Sequence, residues 1–125
     1  MHIDRLDHLV LTVVSIELTC AFYCQILGMK LVTFGQNRKA LCFGSQKINL
    51  HLAGHEFEPK SRVPTPGSAD LCFITKNDLK EVIAKLNLHG IEIEEGPVSK
   101  TGATGSIQSV YVRDPDQNLI EISTY

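Results

Sequence analysis

A chain of 125 residues with 43% apolar and 21% charged residues is one domain's worth of globular protein, too apolar for disorder. Its formal charge of −2 argues against nucleic acid or an acidic membrane surface as partner, since both select a basic excess. No apolar stretch approaches the roughly 20 residues of a membrane span, and the mixed-charge start "MHIDRLD" does not read as a signal peptide, so a cytoplasmic protein is expected.

The strand-like run "LDHLVLTV" (Leu6–Val13) comes first, with His8 inside it. Ser15 can cap a helix running to about Leu27, with Leu18, Phe22 and Ile26 on one face and Gly28 as its stop. Three short strands are expected next, at Met29–Phe34, Lys39–Phe43 and Gln46–Leu52, separated by glycine-containing turns. From Ala53 to Gly67 the periodicity vanishes, and three prolines mark a connector. The pattern then resumes. A strand at Asp70–Thr75 precedes a helix capped by Asn77 or Asp78 that carries Leu79, Val82, Ile83 and Leu86 and ends at Gly90. Strands follow at Ile91–Glu95, Ile107–Arg113 and Leu119–Thr124, with "GPVSKTGATG" as a flexible stretch and "DPDQN" as a turn. The cysteines (Cys20, Cys24, Cys42, Cys72) form no C-x-x-C pair and read as reduced, small hydrophobic residues.

The order strand–helix–strand–strand–strand occurs twice. "DHLVLTV…ILGMKLV" overlays "ADLCFIT…LHGIEIE" without a gap at an offset of 62, and "KINL" overlays "LIEI" at an offset of 72. The overlay pairs His8 with Asp70 and Asn49 with Glu121, all polar residues in apolar strands. Strand alternation gives each segment an apolar back and a more polar front. A sheet with helices on its back and His, Asp and Glu converging on its front makes a cup suited to a divalent metal. Taken singly, each of these residues is more often a hydrogen-bonded core or rim group than a ligand. Their repeat-equivalent placement raises the joint case.

The doubled βαβββ plan, "LDHLVLTV", "FYCQILGMKLV" and above all "SVYVRDPDQNLIEI" resemble the vicinal oxygen chelate superfamily, which includes glyoxalase I, fosfomycin-resistance thiol transferases and extradiol dioxygenases. "RKALCFGSQKINLH", "GSADLCFIT" and "IEEGPV" resemble glyoxalase-domain-containing protein 5 and bacterial virulence-associated, lactoylglutathione-lyase-like relatives. The resemblance implies an α+β fold: residues 1–125 as a single domain of two tandem βαβββ modules (about 4–53 and 69–125, joined by connector 54–68) around a cup-shaped mixed sheet. It also implies a homodimer, in which each site draws on modules of both chains, and a divalent metal (Zn, Ni, Co, Mn or Fe).

His8 and Glu121 occupy the family's first and last ligand positions, and the middle histidine falls at Asp70. Asn49 stands where glyoxalase I has a carboxylate, and His51 on the same face is a substitute ligand. The implied chemistry is lyase or isomerase chemistry of glyoxalase type on a small oxo compound, a glutathione adduct being one candidate substrate. The metal stabilises an enediolate-type intermediate, with Glu121 as ligand and base and Tyr111 as a hydrogen-bond donor to substrate. Thiol transfer, dioxygenation and metal-free small-molecule binding are the alternatives. Arg113 and Lys100 are weaker candidates for an anionic substrate, with surface solvation as the default. Thr101–Gly105 reads as a mobile loop that could cover the cup, and His2, His55 and His89 as surface histidines.

Overall fold

In a computed structural model describing residues 1–125, the chain divides into two compact units, Met1–Pro66 and Gly67–Tyr125. No helix is long and apolar enough to cross a membrane.

The first unit holds β1 (His8–Val13), α1 (Ile16–Cys20), a π-helical continuation at Ala21–Ile26, then β2 (Lys30–Phe34), β3 (Arg38–Phe43) and β4 (Gln46–Leu52). Ser15 caps α1 as expected, its Oγ accepting from the Leu18 N–H at 3.2 Å. The expected apolar stripe is buried only in part, at Phe22 and, half-buried, at Ile26. Leu18 is 61% exposed, whereas Thr19, Phe22 and Tyr23 are buried. Thr19, Phe22 and Tyr23 are spaced i, i+3 and i+4, so the buried face is an ordinary helical stripe centred one residue beyond Leu18. The helix changes type at Ala21, and the Leu27 N–H bonds back five residues to the Phe22 carbonyl. Phe22 and Tyr23 meet edge to face at 5.0 Å. Gly28 follows at φ +74, the left-handed stop read from the sequence.

The first sheet has the order β1-β4-β3-β2, with β1 parallel to β4 and the other pairs antiparallel. Leu11, Val13, Leu41, Ile48 and Leu50 make its buried back face.

The second unit holds β5 (Asp70–Ile74), α2 (Leu79–Leu88), β6 (Glu95–Thr101), β7 (Ser106–Arg113) and β8 (Leu119–Thr124). Asp78 caps α2, and the Ile91 N–H closes its end on the Leu86 carbonyl around Gly90. The order β5-β8-β7-β6 repeats that of the first sheet, again with one parallel pair, β5 and β8. Leu86, Val110, Val112, Ile120 and Ile122 are buried.

One expected strand is displaced. The sequence places it at Ile91–Glu95, yet β6 begins at Glu95 and runs through the Gly96-Pro97 pair to Thr101. Two features permit this. As an edge strand, β6 accommodates a proline without an N–H. Gly96 lies against β7 at φ +109, where a side chain would collide with the Ser109 carbonyl, and the ladder bulges between Glu95 and Val98. The glycine-rich stretch that follows is tied down: Tyr125 Oη accepts from the Thr104 N–H at 3.1 Å, and the Gly102 N–H donates to the Gly105 carbonyl at 2.7 Å.

The ladders confirm the internal repeat at the level of register. His8 pairs with Lys47 and Val10 with Asn49; Asp70 pairs with Leu119 and Cys72 with Glu121. Offsets of 62 on the first strand and 72 on the last therefore hold in hydrogen-bonded pairing. This is an α+β chain of two four-stranded mixed sheets with few helices, two βαβββ modules in sequence.

Candidate functional site

The turn "DPDQN" fixes where β8 begins. Asp114 is buried and its Oδ1 accepts from the Asp116 and Asn118 N–H groups at 2.9 and 3.0 Å. Its Oδ2 accepts from Asn118 Nδ2 at 2.8 Å. Asn118 Oδ1 in turn accepts from the Ala69 N–H at 2.8 Å. The starts of β5 and β8 are thereby locked together, one residue before Asp70 and three before Glu121. Gly67 lets the chain pass the Asp116 carbonyl, where a side chain would collide.

On the front of the second sheet Glu121 pairs with Cys72 on one side and Tyr111 on the other. Ser109 and Ser123 pair with each other beside them. Both serines are fully buried. The Ser109 hydroxyl donates to Glu121 Oε1 at 2.6 Å, and the Ser123 hydroxyl, 2.7 Å from that of Ser109, lies 3.4 Å from the same oxygen. Tyr111 donates its phenol proton to Glu121; burial, then that hydrogen bond and the carboxylate charge, push its pKa up to about 12. Three hydroxyls thus converge on one carboxylate and hold it as an oriented acceptor. Burial also raises the Cys72 thiol, whose Sγ lies 3.4 Å from Ser123 Oγ, so no thiolate nucleophile is prepared here. Asp70 is exposed on the same front, one register step from Cys72.

On the front of the first sheet Asn49 lies between Val10 and Ala40. It is only 5% exposed, and its Oδ1 has no hydrogen-bond partner. Such an oxygen costs stability unless a cation or a donor meets it. His8 is exposed, its Nδ1 2.8 Å from Asp7 Oδ2. In the neutral ring this contact places the proton on Nδ1 and leaves the Nε2 lone pair for coordination. His51 is differently engaged. Its Nε2 faces Arg38 Nη2 at 3.4 Å, and its ring meets Phe57 edge to face at 5.5 Å.

Burial, reinforced by Arg38, lowers the His51 pKa below its ordinary value. The folded state therefore disfavours the proton that the unfolded chain accepts. Stability from this group is present above about pH 6.5 and is lost as pH falls through the lower folded value. Urea melts between pH 7.5 and 5 are expected to show this loss, and a His51→Gln variant is expected to flatten the curve.

The four residues expected from the sequence to be donors come in pairs, His8 and Asn49 on one sheet and Asp70 and Glu121 on the other. No three His, Cys, Asp or Glu side chains gather within the chain into a group able to hold a metal ion. Arg113 is committed to Glu94 at 3.0 Å and Lys100 lies 3.8 Å from Glu95, so both of these candidate anion-binding cations already have carboxylate partners. All four cysteines are free thiols. Nothing in the sequence singles out the two serines or the Asp114–Asn118 pair, although alternation places Ser109 on the face of Tyr111 and Ser123 on that of Glu121.

Residues 5–122 match the model of the Glyoxalase/Bleomycin resistance protein/Dioxygenase superfamily. The chain is 62% identical to virulence protein STM3117 of Salmonella typhimurium over its whole length, which spans 87% of that protein. The crystal structure of STM3117 superposes with a TM-score of 0.98, covering 100% of this chain and 99% of that one. Identity to the glyoxalase domain-containing protein RDO1 of Mycosarcoma maydis is 56%, across 100% of this chain and 70% of that protein. Lactoylglutathione lyase from Agrobacterium tumefaciens shares the fold at 20% identity and a TM-score of 0.76, with 98% and 95% of the two chains covered. The duplicated register and these matches agree, and the chain belongs to the glyoxalase/bleomycin resistance protein/dioxygenase superfamily.

Proposed function

We propose that this protein is a metal-dependent enzyme of glyoxalase type acting on a small oxo compound, with His8, Asn49, Asp70 and Glu121 as the metal donors. One observation carries the reading: the buried, partnerless Asn49 oxygen occupies the register position that holds, in the second sheet, a carboxylate fixed by hydroxyl donors. One imidazole, two carboxylates and an amide oxygen suit a borderline divalent ion in both charge and donor type. His51 stands outside this set, because the Arg38 charge against its ring nitrogen opposes a second cation there.

When bound, the ion supplies Lewis-acid stabilisation of charge developing on substrate oxygens. The chain's own residues do the rest. Ser109 and Ser123 hold Glu121 Oε1, and the carboxylate lone pairs that the hydroxyls do not engage are the ones to coordinate or to accept a proton from the carbon next to a carbonyl. Tyr111 keeps its proton at neutral pH and orients the base. In this reading a homodimer completes the set, each site drawing on donors from both sheets, two from each. Its contact surface includes the exposed apolar residues of the β1 edge, Leu6, Val10 and Val14.

Calorimetric titration of chelator-treated, untagged protein with Zn²⁺, Mn²⁺, Co²⁺ and Ni²⁺ tests the reading, followed by turnover of the methylglyoxal–glutathione hemithioacetal. About one ion per site and metal-dependent turnover are expected. A folded dimer that takes none of the four ions overturns the proposal, and conjugation of a thiol to fosfomycin in place of hemithioacetal turnover would move the reaction to thiol transfer.

A further inference from the structure

The cationic cluster at the far end of the first sheet supplies no donor to the proposed metal site. Between Glu17 and Glu56 the chain contains no acidic residue and four basic ones, Lys30, Arg38, Lys39 and Lys47, although the whole chain is net negative. Arg38 and Lys47 are both half-buried. The Arg38 guanidinium is held between two rings, 4.7 Å from the Phe57 centroid and 5.1 Å from that of Phe34. Lys47 Nζ lies 4.0 Å from the Phe34 centroid on the same cluster.

No carboxylate lies within ion-pair distance of either cation, whereas Arg5, Lys60, Lys100 and Arg113 all have one. The only polar side chain against Arg38 is His51, at 3.4 Å. Two partly desolvated cations with aromatic packing and no ion-paired carboxylate, Asp7 acting on Lys47 only from beyond ion-pair distance, are an arrangement that an anion would complete. A clamped guanidinium offers a carboxylate two parallel donors at little further entropic cost.

Asn49 ties this cluster to the proposed reaction site. It lies on β4 between Lys47 and His51, on their face of the sheet, and its buried oxygen lacks a partner. Alternate residues on a strand are about 6.7 Å apart. A ligand whose carbonyl meets an ion held by the Asn49 oxygen would therefore carry its negative group several bonds away to reach the cations.

We infer that the front of the first sheet is a substrate-anion subsite, in which Arg38 and Lys47 bind the carboxylate of a small oxo acid whose carbonyl lies toward Asn49. The inference rests on the proposed function for the carbonyl end, but the carboxylate contact exists without metal and without Glu121.

The test uses chelator-treated full-length protein, both wild type and Glu121→Gln, with 4-oxopentanoate as probe and 2-pentanone as its uncharged counterpart. Saturable shifts of the Arg38 Nε–H resonance and of the His51 ring signals are expected with 4-oxopentanoate alone, equally in both proteins. Arg38→Gln is expected to weaken binding at least tenfold, and Lys47→Gln to weaken it less. An Arg38 resonance that does not move in wild type overturns the inference whether or not the variants fold. So does equal binding of the uncharged ketone. Anion binding in protein that refuses every metal upholds the subsite while ending the metal proposal; metal binding without anion binding does the reverse.

Discussion

Glu121→Gln is expected to reduce kcat/KM by about 10²–10⁴-fold, the span associated with losing a positioned acid–base group. The same substitution is expected to lower metal stoichiometry toward zero. Glutamine is isosteric, and its Oε1 can still accept from the Ser109 hydroxyl, which donates at 2.6 Å in the native chain. Folding and thermal midpoint should therefore change little, separating loss of chemistry from loss of structure. What the substitution removes is the carboxylate charge, which the proposed function requires for coordination or proton transfer. Metal analysis and hemithioacetal turnover on the same sample decide the matter: a variant that keeps both a full complement of metal and native turnover shows that Glu121 is neither ligand nor base.

Asp114→Ala should be the most damaging single change to the second unit. The carboxylate is 2% exposed and accepts from two backbone N–H groups and the Asn118 amide. Removing it strands three donors in a buried turn, at a cost of about 3 kcal/mol. The thermal midpoint should fall by roughly 10 °C. The effect reaches the site because Asn118, once released, no longer holds the Ala69 N–H beside Asp70. Asp114→Asn should recover only part of the loss, because one oxygen becomes an NH₂ group turned toward Asn118 or toward the backbone donors. Thermal denaturation of the three proteins provides the check, and an alanine variant within about 1 kcal/mol of wild type would show that the turn is not held this way.

The fold was legible because its signals are local and occur twice. Ser15, Gly28, Asp78 and Gly90 mark helix ends through side-chain size and backbone conformation, and alternation in Gln46–Leu52 and Leu119–Thr124 located β4 and β8 to the residue. Two features were hidden for physical reasons. The π-helical turn at Ala21–Ile26 has no signature in residue type, and the buried face falls on Thr19, Phe22 and Tyr23 because a helical pattern with apolar residues on adjacent faces does not say which of them meets the core. The Gly96-Pro97 pair reads as a breaker until its place on an edge strand is known, and edge position is a property of the sheet rather than of the segment. At the site, the repeat brought out His8, Asp70, Asn49 and Glu121 as equivalent positions. It said nothing of Ser109, because a small hydroxyl residue in a strand carries no signature of what it touches. The engagement of His51 by Arg38 and Phe57 was equally hidden, since it depends on a ring delivered by the connector.

The parallel pairs have a kinetic consequence. His8 reaches Lys47, and Asp70 reaches Leu119, only after loops of about forty and fifty residues have closed, which is the slow kind of contact in folding. Every proposed donor rides on one of those late-forming ladders. A chain halted at its hairpins would have its antiparallel pairing and Glu121 held by Ser109, but His8 and Asp70 would still be away from the strands they pair with. An ion that binds only the finished ladders would then act as a reporter of the last folding step, slowing unfolding while leaving the earlier hairpins unaffected.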